Sequence, residues 1–167
     1  MEWVYFPRWR RPSETAFQVV ACVRSHHDSF DSKSQTLSSN DVLGHLRDGL
    51  TNIGFEVEYG KKAAEKIVMP VLWGRDGVVD KAFHCDAFHR ESGVVIEVEA
   101  GRAVANNQFL KDLFEACMMQ EAKELVLLVR RDYGGVRDFE TVFRFMDTLY
   151  TSGRLAIPLS GILVIGY

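Results

Sequence analysis

The 167 residues are 47% hydrophobic and 26% charged, a balance that suits one globular domain with a single large core and excludes a disordered chain. A formal charge of -3 and a pI near 6.0 supply no strongly basic field, which counts against a tight, sequence-independent nucleic-acid binder while leaving room for a local basic patch. No apolar run approaches the roughly 20 residues of a membrane span. Cys22, Cys85 and Cys117 are odd in number and far apart, so neither a zinc finger nor a disulfide framework is expected, and a reducing, intracellular, cytoplasmic setting is.

Residues Met1 to Pro12 interleave Trp3, Tyr5, Phe6 and Trp9 with Arg8, Arg10 and Arg11, without the order of basic, apolar and small residues that a secretory signal has. Such an arm can stack on bases and neutralise phosphates, which makes the three arginines candidate nucleic-acid contacts. The simpler reading packs the aromatics onto the body and leaves the arginines in water. Ser13 and Glu14 can open a helix through Phe17, Val20, Val23 and Phe30, although Ala16 to Val23 also fits a strand. His26-His27-Asp28 is read as a solvated surface, because adjacent helical histidines diverge by about 100°.

Ser29 to Asn40 is polar and reads as a loop. Ser39, Asn40 and Asp41 then start a helix whose face is Val42, Leu43, Leu46, Leu50 and Ile53, ending near Gly54. Phe55 to Tyr59 alternates apolar and charged residues, as a first, half-exposed strand does. Gly60 to Lys66 is read as a turn or a short helix. In Ile67 to Trp73, Pro70 cannot donate to a ladder, so an edge or irregular strand is expected there.

Val78 to Phe88 and Val94 to Glu99 read as two strands joined at Glu91-Ser92-Gly93, with Gly101 ending the second. Arg102 to Gln120 is helical in pattern, with a stripe of Phe109, Leu110, Leu113, Phe114 and Cys117. Leu125 to Val129 is a continuous apolar run, the pattern of a strand buried on both faces, and a β-helix-β crossover to a parallel neighbour follows. A loop at Gly134-Gly135, a helix over Phe139 to Leu149 and a buried strand over Gly161 to Ile165 complete the chain.

Side chains alternate across a strand, so Glu97 and Glu99 share a face that Ile96 and Val98 do not, and Asp86 on the preceding strand joins them. Three carboxylates so placed raise one another's pKa unless a cation or proton offsets them. The competing reading makes them the solvent face of an edge strand. Against it stand the apolar Val94-Val95-Ile96, the acid on the neighbouring strand, and Gly101-Arg102 directly after.

Asp86, ten intervening residues and then Glu97-Val98-Glu99, followed by the Phe109 helix and the Leu125 strand, resembles the PD-(D/E)xK superfamily of restriction-endonuclease-like nucleases. The resemblance covers roughly Asn40 to Val129 and implies a three-layer α/β/α fold with a mixed central sheet, residues 1–35 forming an N-terminal arm and helix and 39–167 the nuclease-like core. It implies a metal-dependent endonuclease acting on DNA, with Asp86 and Glu97 as ligands of Mg2+ or Mn2+ and the Val98 carbonyl as a third. The family usually has Lys at the third position, and this chain has Glu99.

Glu99 is therefore assigned to the attacking water or to a second metal, and Arg102 and Lys111 are the candidate cations for the phosphate. His84, on the face of Asp86 in an unbroken strand, is a candidate substrate contact or a packed histidine. Asn106, Asn107 and Gln108 are candidate nucleic-acid contacts, with helix capping as the alternative for one asparagine. Asp41 and Asp48 are the options for an additional acid from the first core helix. A homodimer would let so small a nuclease cut both strands. The rival function is a non-catalytic module of the same fold that binds nucleic acid or a protein partner.

Overall fold

A computed structural model describes every residue except Lys61, Ala63, Ala64 and Tyr133, so the turn or short helix expected over Gly60 to Lys66 lies partly outside the described residues. The elements are β1 (Glu2–Phe6), α1 (Glu14–His26), α2 (Ser39–Asn52), β2 (Glu56–Val57), β3 (Ile67–Trp73), β4 (Val79–Cys85), β5 (Ala87–His89), β6 (Val94–Glu99), α3 (Gln108–Met118), β7 (Glu124–Val129), α4 (Asp138–Ser152) and β8 (Gly161–Gly166).

Six strands form one mixed sheet in the order β1-β8-β7-β6-β5-β2. β6, β7 and β8 run parallel, while β5, β2 and β1 are antiparallel to their neighbours. The parallel strands need long crossovers, which α3 and α4 provide. The sheet divides the single core expected from composition into two. On one face Val94, Ile96, Val98, Val126 and Leu128 pack with Val19 and Val23 of α1 and Leu46 and Leu50 of α2. On the other, Val95, Leu125, Leu127 and Val129 pack with Phe109 and Leu113 of α3, Val142 and Met146 of α4, and Met69 and Val71 of β3. Helices therefore cover both faces, and Leu125 to Val129 is buried throughout, as its apolar run predicts.

The helix starts are legible in local chemistry. Ser13 accepts a hydrogen bond from the Ala16 amide at 3.1 Å, which settles Ala16 to Val23 as helix. Ser38 and Asp41 form a capping box at the start of α2, so Asp41 is committed to its own helix and Asp48 is exposed.

Several expectations need correction. Residues 2–6 are an edge strand paired with β8 rather than an arm, because Tyr5 and Phe6 are buried. The strand expected over Phe55 to Tyr59 is reduced to Glu56–Val57, paired with Phe88 and Ala87. Val78 to Phe88 is not one strand. β4 pairs with β3 in a separate two-stranded ribbon, irregular after Pro70, and the chain breaks at Asp86 before β5 joins the main sheet. The α3 helix starts at Gln108, six residues later than the pattern suggests, after a left-handed Asn107 with φ of 52°. On α3 Phe114 is 55% exposed, and Asp112 takes its place in the buried stripe. His27 is less solvated than expected, its ring meeting Phe30 edge-on at 6.0 Å between centroids.

Candidate active site

The site is set by register. Ala87 pairs with Ile96 in the antiparallel β5–β6 ladder, so the next residue back, Asp86, lies opposite Glu97. Directly opposed residues of antiparallel strands share a face with Cβ atoms about 5 Å apart. The break at Asp86 lets its carboxylate turn to the β6 backbone, where Oδ2 accepts the Val98 amide at 2.7 Å. The Asp86 carbonyl accepts the Glu58 amide at 2.8 Å, which fastens the end of β2 beside the acid.

Val95 packs against the α3–α4 side, so Glu97 and Glu99, two and four residues on, face the same layer. All three sequence-predicted acids are half-buried. Burial, opposed by the Val98 amide and reinforced by Glu58 and Glu99, pushes Asp86 up to about 6. Burial and repulsion from Asp86, Asp112, Glu115 and Glu99 hold Glu97 well above the usual carboxylate range. Glu99 is raised by burial, against a lowering by its hydrogen bond with Asp112 and by Lys111 and Arg102.

Two acids that the sequence reading did not place at the site surround this group. Asp112 of α3 is buried, and burial together with Glu99 pushes it up to about 8. Its signal is in the sequence: Asp112 falls at helical spacing between Phe109 and Ala116, on the apolar stripe. Glu58 is buried beside Asp86 and held by Lys66, whose Nζ lies 3.3 Å from its carboxylate. Lys66 in turn lowers Asp86.

Among the described residues, no three Asp, Glu, His or Cys side chains converge as a ready-made metal cage. An all-oxygen set of Asp86, Glu97 and the Val98 carbonyl still fits Mg2+, which takes one or two carboxylates and keeps several waters. Burial is the first cause of each rise, and repulsion among the acids adds to it.

No family model matches the chain, and no curated protein or solved structure is significantly similar to it.

Arg102 and Lys111 lie close enough to Glu99 to lower its pKa. Lys111 also pairs with Glu115 at 3.5 Å. Arg102 and Glu99 line an open cavity of about 480 Å3 with Ser38, Ser39 and Arg130, at the carboxyl ends of the parallel strands where α/β folds place ligands. Asn107 occupies the N-cap position of α3 but its side chain caps nothing, and Asn106 and Asn107 are exposed beside the site-bearing helix.

Other candidates lie elsewhere. His84 pairs across the β3–β4 ribbon with Val68, and the break at Asp86 removes the unbroken strand that would have put both on one face. Phe6 pairs with Ile162 at the amino end of β8, so Arg8, Arg10 and Arg11 follow at the end of the sheet opposite Glu99. There Arg8 meets Asp147 at 3.2 Å, Arg10 donates to the Ser160 carbonyl, and Arg11 stacks over Phe17 at 5.6 Å. No helix among the described residues is long and apolar enough to cross a membrane.

Proposed function

We propose that the chain is a metal-dependent nuclease that hydrolyses phosphodiester bonds in DNA, built on a restriction-endonuclease-like fold. The observation that carries this reading is Asp86 set opposite Glu97 and fastened to the Val98 amide at 2.7 Å. In the main sheet α2 leads to β2, and after the intervening β3–β4 ribbon come β5, β6, α3 and β7, with β5 antiparallel and β7 parallel to β6; the run of acid-bearing strands, helix and buried strand supports the fold because it is the order the resemblance implies.

Asp86, Glu97 and the Val98 carbonyl would hold Mg2+ or Mn2+. Such a cation polarises a phosphoryl oxygen, lowers the pKa of a water and stabilises the leaving oxygen. Glu99, on the same face as Glu97, accepts the proton of the attacking water. Arg102 and Lys111 supply positive charge where the phosphate gains negative charge. Asn106 and Asn107 offer amides to the flanking backbone.

The test is cleavage of single-stranded, duplex and branched DNA in Mg2+ or Mn2+. Activity abolished by EDTA and by Glu97→Gln is the expected result, and inertness on every substrate with both metals would overturn the reading. A second reading, a non-catalytic module binding nucleic acid or protein, is favoured by Glu99 in the place of the usual Lys and by the lack of a ready-made cage among the described residues. Nucleic-acid binding indifferent to metal and to Glu97→Gln would select it.

A further inference from the structure

We propose that Tyr59, backed by Arg47, is a stacking platform for an unpaired base, so that the site takes single-stranded or flapped DNA in preference to closed duplex. This inference rests on the nuclease reading above for what is cleaved and adds to it how the strand is held.

Phe55, Val57 and Tyr59 alternate onto the α2 side of the chain around β2. Phe55 is buried with Leu50 of α2, and Val57 packs against the same cluster. Tyr59 continues the series past the end of the strand, where that layer runs out, and is 72% exposed. The Arg47 guanidinium lies over its ring at 4.5 Å from the centroid, the only aromatic or cationic contact of that ring among the described residues. One face of the ring thus carries a cation, and the other is open to solvent.

The backing is fixed. Arg47 Nη2 donates to the Glu58 carbonyl at 3.1 Å, and the Glu58 amide donates to the Asp86 carbonyl at 2.8 Å. A guanidinium held in this way orders the ring and sets positive charge beside whatever stacks on it. The platform is therefore tied through one residue to the acid at the centre of the site.

Its position suits a strand that runs to Glu99. Tyr59 and Arg47 share a small recess with Asn40. Ser38 and Ser39, directly before Asn40, line the larger cavity with Glu99 and Arg102, and Ser39 Oγ accepts the Ala100 amide at 3.2 Å. Platform and cavity therefore flank the first turn of α2. A base resting on Tyr59 lets its strand cross that turn and bring a phosphate to exposed Arg102. An aromatic face followed by cationic contacts to the backbone is how proteins hold single strands. In a closed duplex the neighbouring pairs cover both faces of every base, which leaves Tyr59 nothing to stack on.

The test is fluorescence anisotropy in EDTA with a labelled single-stranded oligonucleotide, the same strand in a blunt duplex and an abasic strand of equal length. The proteins are the parent, Tyr59→Ala, Tyr59→Phe and Tyr59→Trp, each first shown to melt as the parent does. The expected result is that Tyr59→Ala weakens single-strand binding by about fivefold or more, while Phe and Trp retain it. Duplex affinity should change by less than about twofold, and the abasic strand, which has phosphates and no bases, should bind parent and Tyr59→Ala alike. Tyr59→Ala binding the single strand as the parent does, or losing single strand and duplex by the same factor, would overturn the platform. Cleavage separates this from the nuclease reading: metal-dependent cutting that persists while Tyr59→Ala binds normally removes the platform alone. Loss of single-strand binding in Tyr59→Ala, in a protein that cuts no substrate, keeps the platform and removes the nuclease.

Discussion

Replacing Asp112 with Asn should make the metal-free protein more stable at high pH. The ordinary pKa of the carboxyl is 3.8, and burial together with Glu99 pushes it up to about 8 in the folded state. Between those values the folded protein holds a proton that the unfolded chain has released. The unfolded state therefore binds fewer protons, and stability falls as pH rises through the interval. At about 1.4 kcal/mol per pKa unit the shift sets an upper scale of about 6 kcal/mol. Because Asp112 and Glu99 titrate as a pair and Lys111 opposes the repulsion, about 2–3 kcal/mol is expected from the single substitution.

Asn keeps the size of the acid and cannot ionise, so the variant should escape this loss. Urea denaturation in EDTA at pH 5 and pH 8.5 checks it. The gain of Asp112→Asn over the parent should grow by about 2–3 kcal/mol between the two pH values, or about 5–10 °C in melting temperature. A difference that stays constant with pH would refute the electrostatic argument.

Ser13→Ala removes both the cap on the Ala16 amide and the hydrogen bond to Glu124 at 2.9 Å, and should cost about 1–2 kcal/mol in denaturant titration. Leu128→Ala, on a strand buried on both faces, should cost about 3 kcal/mol by the same measurement. Arg102→Ala should weaken binding of a DNA oligonucleotide in EDTA and reduce its salt dependence, whereas Arg8→Ala combined with Arg11→Ala, at the opposite end of the sheet, should change the affinity less than about twofold. Equal losses in the two variants would show that the arm reaches the substrate.

The sequence made the parallel part of the sheet legible for a physical reason. A strand covered on both faces has no polar side to interrupt it, so Leu125 to Val129 and Gly161 to Ile165 stand out as unbroken apolar runs. Helices α1 and α2 were readable from their caps and apolar spacing. The edge strand β1 was not, because its residues mix charged and aromatic groups and its partner lies at the far end of the chain. The face shared by Glu97 and Glu99 followed from alternation alone, and the approach of Asp86 from the short hairpin.

What alternation could not reveal was the break at Asp86. Its cause is tertiary: the β3–β4 ribbon leaves the main sheet, and the chain must turn to rejoin it at Ala87. Asp112 does not stand out on α3 because an apolar stripe is defined by its apolar residues, a pattern that admits exposed Phe114 and leaves out the acid at the centre of the same face. Glu58 and Lys66 come to Asp86 through the pairing of β2 with β5, a contact that no local pattern encodes.

In the proposed nuclease Asp86 and Glu97 together hold a divalent cation. Anomalous scattering from crystals soaked in Mn2+ tests it most directly. A peak in contact with both carboxylates, lost in Glu97→Gln crystals under the same conditions, is the expected result. A parent crystal with no peak at these side chains, at Mn2+ concentrations that saturate binding in solution, would contradict it.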